Sequence, residues 1–191
     1  MTPISLKCML LGDGNVGKTS FYITYVTKKF PTAYIPIEFD NYTTDVEINH
    51  EDIQIKLCET VTTGDDAHRL RPLTYTETDV FILAFAVNNK RSFNDIKSMW
   101  LPEIRNYDPK VPVLLLGTKI DLRTFEANQQ EWISTKMGEK TAKKLRLSKY
   151  MECSSLASKN LDKVIEEAAR IGLMYSQELK HIKKKTNCSI L

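Results

Sequence analysis

The chain has 191 residues, a formal net charge of +3, and hydrophobic and charged fractions of 42% and 27%. These values fit one soluble globular domain with a sizeable core, and the charge is too mild to argue for nucleic-acid binding. The longest apolar run, residues 80–87, is far too short to span a bilayer.

In chain order, residues 6–11 read as a buried strand ending at Gly12, and residues 19–28 carry helical spacing through Phe21, Tyr25 and Val26. Residues 44–48 and 53–57 each alternate, with 49–52 between them as a hairpin turn. The continuous apolar runs 80–87 and 111–117 suit strands covered on both faces. Between them, residues 92–105 are amphipathic, with Ser92 as the expected N-cap. Residues 124–138 are polar and irregular, which predicts a surface insertion. A short strand over 150–153 precedes a helix from about 161 to 178 with apolar Val164, Ile165, Ala168, Ile171 and Leu173. Strands alternating with helices predict an α/β fold, a mostly parallel sheet wrapped on both sides. Residues 1–178 are expected to form the domain and 179–191 a basic tail. Cys8, Cys58, Cys153 and Cys188 show no paired or metal-like spacing, and no secretory signal is expected at the start, so a reducing cytosol is the expected compartment.

"GDGNVGKT", residues 12–19, fits the phosphate-loop pattern between a strand and a helix. Gly14, Asn15, Val16, Gly17 and Ser20 would offer backbone N–H groups to phosphates at a helix N-terminus. Lys18 would reach the β- and γ-phosphates, and the Thr19 hydroxyl would bind Mg2+. A glycine-rich turn with a surface lysine is the bland alternative, and the strand–loop–helix context argues against it. Phosphate loops serve several nucleotides, so the base is decided elsewhere. "GTKIDL" (117–122) follows a buried strand, at the sheet edge where doubly wound folds bind ligands. Asp121 could accept from both the ring N–H and the exocyclic amine of guanine, a donor pair adenine lacks. The Lys119 stem could lie along the ring beside Thr118. "ECSSL" (152–156) brings Ser154, Ser155 and Leu156 to the third side, with the Ser155 N–H aimed at the guanine carbonyl. A P-loop kinase or ATPase is disfavoured by Asp121.

On these motifs the chain resembles the Ras-like small GTPases and, within them, the Rho family. The pieces that carry the resemblance are "FPTAYIP" and "FDNY" (30–42), "RLRPLTY" (69–75), "TKIDLR" (118–123) and the terminal "CSIL". The resemblance implies a P-loop small-GTPase fold with a mostly parallel six-stranded sheet and helices on both faces, GTP or GDP with Mg2+ as ligands, and a monomer. It implies that Phe30 packs on the guanine and that Tyr34 lies at the nucleotide. Residues 34–42, from that tyrosine to Tyr42, would form the effector surface. Effectors, an exchange factor and a GDP-dissociation inhibitor are the expected partners, and the actin cytoskeleton the expected setting. The segment 124–151 is several residues shorter than the family pattern, and Ser155 stands where alanine is usual.

The family's D-T-A-G-Q-E is replaced by "CETVTTGDD" (58–66), one residue too long between its flanking motifs. Glu59 stands for the aspartate that holds Mg2+ through water. The glycine that meets the γ-phosphate is replaced by Thr62 or displaced to Gly64. For the water-orienting glutamine the candidates are Thr63 or Asp65. Ile37 replaces a threonine that binds the metal, leaving Thr19 as the direct protein ligand. Since catalysis here is mainly positioning plus charge stabilisation, hydrolysis is expected to be slow or lost. The alternatives are that Thr62, Thr63 and Gly64 rebuild an equivalent site, or that the nucleotide is structural in a non-hydrolysing interaction module.

The tail "KHIKKKTNCSIL" ends in C-a-a-X with leucine last, the form usually geranylgeranylated, here on Cys188. Lys180, Lys183, Lys184 and Lys185 would add attraction to anionic lipid. The expectation is a lipid-anchored protein on the cytoplasmic face of membranes, the plasma membrane foremost, with a cytosolic pool.

Overall fold

Strands β4 (Val80–Ala86) and β5 (Val113–Thr118) are buried at every residue, because helices cover both faces of the sheet they occupy. A computed structural model of the chain describes residues 4–32, 42–59, 67–124 and 132–188. Its six-stranded sheet has the order β2-β3-β1-β4-β5-β6, with β1 Ile4–Leu11, β2 Tyr42–Ile48, β3 Glu51–Glu59 and β6 Lys149–Glu152. Only β2 runs antiparallel to its neighbour, pairing Tyr42 with Leu57 and Ile48 with Glu51. Alternation along β1 divides the core. Leu6, Cys8 and Leu10 face helices α1 (Lys18–Thr27) and α6 (Leu161–Cys188), meeting Phe21, Tyr22, Val164 and Ile165. Met9 and Leu11 face the other layer, packing with Phe81, Phe85, Trp100 and Ile104. Each such side chain contributes about 1.5–3 kcal/mol on burial, so the two layers fix the sheet between them. The thiols of Cys8, Cys58 and Cys153 are buried, acting as small apolar groups.

The hairpin turn is tighter than the sequence suggests. Asn49 and His50 alone make it, both with positive φ (55° and 65°), the geometry that matches strand twist in a two-residue turn. The helix after β4 also starts earlier than expected, and Ser92 is not its N-cap. α3 (Lys90–Asp95) is capped by Asn89, whose side chain accepts from the Ser92 N–H at 3.1 Å. The Ser92 hydroxyl instead donates to the Asn89 carbonyl (2.9 Å) and accepts from the Ala86 N–H (3.2 Å), stitching the helix to β4. A π-helical turn, Ile96–Trp100, joins α3 to α4 (Leu101–Tyr107). Pro102 has no N–H to give the carbonyl four residues back, and the wider turn makes room for its ring.

Residues 135–138, expected to be irregular, open helix α5 (Thr135–Lys144), capped by Ser134 accepting from the Met137 N–H at 3.2 Å. Its buried positions are Gly138 and Ala142, too small to register as an apolar stripe. Helix α6 runs past the expected stop near residue 178 to Cys188, since no glycine or proline interrupts 173–188. Helix α2 (Ala67–Leu70) leads into a 3-10 turn, Arg71–Tyr75. Among the described residues no helix is long and apolar enough to cross a membrane.

Candidate nucleotide-binding site

The sequence motifs meet at one edge of the sheet, beyond the carboxyl ends of β1, β3, β5 and β6. The loop after β1 is shaped by two glycines. Gly12 has φ 139°, and a Cβ there would lie 2.2 Å from the Ala84 carbonyl oxygen; Gly17, at φ 96°, turns the chain into α1. Lys18 is buried, and its ammonium donates to the carbonyls of Gly12 (2.9 Å) and Asp13 (2.7 Å). Burial pushes its pKa down, opposed by the negative charges of Glu59 and Asp13. The Thr19 hydroxyl stands 3.2 Å from both carboxylate oxygens of Glu59, at the end of β3. Burial pushes the Glu59 carboxyl up, with Lys18 and Thr19 opposing. Thr19 and Glu59 thus bring hard oxygen donors together beside a buried lysine, a set that suits Mg2+ and phosphate.

The base motif is bound to this loop rather than merely near it. The Thr118 hydroxyl lies 2.6 Å from the Val16 carbonyl and 3.0 Å from that of Phe85, and the Lys119 ammonium donates to the Asn15 carbonyl at 2.6 Å. Lys119 adopts φ 60°, which turns its stem back over the loop. A cavity of about 280 Å³ opens there, lined by Gly17, Ser20, Phe30, Thr118, Lys119, Asp121, Leu122, Ser155 and Leu156. Half-exposed Phe30 and Leu156 are its apolar walls, and Asp121 supplies the acceptor. Ser154 is fully buried and outside the lining. Its hydroxyl donates to Asp121 Oδ1 and accepts from the Ala157 N–H (3.0 Å), so it holds the aspartate from behind. A larger cavity, about 630 Å³, lies at the opposite edge between Lys7, Asp79, Asp108 and Tyr175, and none of the motif residues lines it.

Four further contacts escaped the sequence reading. Asp13 Oδ1 accepts from the Trp100 indole N–H at 2.6 Å, and the buried Arg71 guanidinium lies 4.7 Å over the same ring while paired with Glu103 at 2.7 Å. Arg123 pairs with Glu152 across the two base-facing loops. Partners 29 to 87 positions apart leave no local signal. Tyr34, Ile37, Thr62, Thr63, Gly64 and Asp65 lie outside the described residues, as do the side chains of Lys180, Lys183, Lys184, Lys185 and Cys188.

Residues 7–173 match the model of the Ras family. The match takes in the phosphate loop, both base-facing loops, strands β2 to β6 and all of β1 from Lys7 onward. The chain belongs to the Ras family, and is a GTP-binding signalling protein built on the P-loop small-GTPase fold.

Proposed function

We propose that this protein is a Rho-like switch protein, lipid-anchored at membranes, that binds guanine nucleotide but hydrolyses GTP slowly or not at all. The observation that carries the reading is the Glu59 carboxylate 3.2 Å from the Thr19 hydroxyl. One methylene longer than aspartate, Glu59 carries its negative charge further towards the metal and γ-phosphate side of the site. GTP supplies the γ-phosphoryl group that family members read. Lys18 and Thr19 are retained to meet it, while Ile37 lacks the hydroxyl, and the 59–65 stretch lacks the glutamine, of the family pattern. A ligand shifts a conformational equilibrium only by its differential affinity for the two states, so the contrast between GTP and GDP forms is small.

Effectors would dock on residues 34–42, with an exchange factor and a GDP-dissociation inhibitor as further partners and the actin cytoskeleton as the output. Those assignments rest on the Rho-like motifs. Membrane anchoring rests on Cys188 and the lysines before it. A second reading, a non-hydrolysing module with structural nucleotide, draws support from contacts that brace the site independently of phosphate count, such as Thr118 on Val16 and Trp100 on Asp13.

Single-turnover hydrolysis of pre-bound GTP, with and without an activating protein, tests the proposal. The expected result is a rate well below the family norm with little stimulation. Replacing Ile37 by threonine and rebuilding residues 59–65 as D-T-A-G-Q-E should raise it. A family-typical rate in the parent would overturn the reading, and no rise on rebuilding would favour the structural-nucleotide module.

A further inference from the structure

The two loops that face the base are connected by a side-chain lock just outside the cavity. Arg123 follows Asp121 by two positions in the 3-10 turn Ile120–Thr124, and Glu152 precedes Ser154 by two positions at the end of β6. The Arg123 guanidinium grips Glu152 with both Nη groups, at 2.7 Å to Oε2 and 2.9 Å to Oε1. It also donates to the Ile133 carbonyl, reaching the segment before α5. Glu152 is further held by the Tyr150 hydroxyl (2.6 Å to Oε1) and the Thr135 hydroxyl (3.1 Å to Oε2). Its backbone carbonyl accepts from the Asn160 amide at 2.9 Å. Burial opposes ionisation of Glu152, but the bonds from Arg123 and Tyr150 outweigh it and keep the carboxyl below its ordinary range. Both side chains are mostly buried, at 23% and 15% exposure, so the pair is far less screened than a surface bridge.

The backbone between these loops is joined by only a few bonds. The Cys153 N–H donates to the Gly117 carbonyl (2.9 Å) and the Ile120 N–H to the Cys153 carbonyl (3.3 Å). Past them, Asp121 and Ser155 face the cavity with Ser154 between. A rigid bidentate fork set two residues from Asp121 and three from Ser155 is well placed to fix their separation, which a flexible ammonium would not do.

The geometry points to Arg123, acting through Glu152, as a positioning residue that sets how closely Asp121 meets the two guanine donors. It therefore controls nucleotide residence time and discrimination between guanine and hypoxanthine. The inference rests on the base assignment above. Hypoxanthine lacks the exocyclic amine, so IDP can make only one of the two bonds to Asp121.

The test compares dissociation rates of fluorescently labelled GDP and IDP from the parent, Arg123→Gln, Glu152→Gln and the double variant, with melting temperatures measured alongside. The parent should release IDP faster than GDP. Each single variant should lower that IDP/GDP ratio by about tenfold or bring it to unity, because loosened positioning costs GDP its second bond. The double variant should be no worse than either single. Arg123→Lys, which keeps the charge without the fork, should fall with the others. A purely structural lock would speed release of both nucleotides equally; an unchanged ratio in folded variants, or additive effects in the double variant, overturns the inference. If Arg123→Gln does not fold, Glu152→Gln, which keeps an acceptor for Tyr150, gives the same readout. A parent that does not prefer GDP over IDP would overturn the base assignment together with this inference, whereas a selective parent with unchanged variants overturns the inference alone.

Discussion

Asp121 illustrates how much one side chain decides in a site of this kind. It lines the cavity proposed for the base, takes a hydrogen bond from buried Ser154, and is the proposed acceptor for two guanine donors. Asp121→Ala should lower GDP affinity by roughly a thousandfold or more, since both donors would be buried without a partner. Isothermal titration with GDP and ADP checks this, and retained GDP affinity would sink the base assignment. Glu152 gives a prediction with a pH signature. Its folded pKa lies below the ordinary glutamate value of 4.5, so its ionised form stabilises the fold above that pH, and the stabilisation is lost as pH falls through the folded value. Glu152→Gln should cost about 1–3 kcal/mol at pH 7, and the gap in melting temperature should shrink below about pH 4.5. A gap that stayed constant down to pH 3 would mean that the charge on Glu152 is not what matters. Phosphate-loop and base-motif residues were legible because each chemistry needs a fixed short pattern. Arg123, Trp100 and Ser154 were not read for their roles, because those roles depend on partners far away in sequence.

Among the elements, α5 departs most from the expectation set by its sequence. Its one-turn apolar signal is missing because Gly138 and Ala142 are what it buries. The reason for the glycine lies in another element. Tyr150 of β6 lies flat against the helix, and a Cβ on Gly138 would come within 2.1 Å of its ring. An exposed helical glycine replaced by alanine ordinarily gains about 1 kcal/mol. Here Gly138→Ala should lose about 1–3 kcal/mol through overpacking, and it should disturb the Tyr150–Glu152 bond. Thermal denaturation decides the matter, and a rise in melting temperature would contradict the packing described. The strands were easier. β4 and β5 announce themselves as unbroken apolar runs, and only their ends moved by one or two residues. The interior π turn at Ile96–Trp100 was not readable, although Pro102 marks where helical geometry must yield.

For the molecule as a whole, the C-terminal helix carries the chain from the core to the proposed anchor. Helix α6, 28 residues long, contributes Val164, Ile165 and Ala168 to the core and runs on to Cys188. The backbone of residues 180–185 is therefore helical rather than trailing as coil. A prenyl chain contributes about 0.8 kcal/mol per buried CH2 and each nearby lysine about 1 kcal/mol against anionic lipid. Cys188→Ser should therefore move the protein from the membrane to the soluble fraction in salt-washed cell extracts. Persistent, salt-resistant membrane association of that variant would contradict the anchor. By itself the sequence determined the α/β class, the parallel strands and the phosphate and base motifs, because hydrophobic period and short motif spacing are local properties of a chain. It also carried the substitutions at Ile37 and Glu59. Only the tertiary structure decided that Glu59 reaches Thr19, that Ser154 stands behind Asp121, and that Arg123 locks to Glu152. Those contacts depend on which strand ends the sheet order brings together, and sheet order is set by long-range packing that no window of sequence contains.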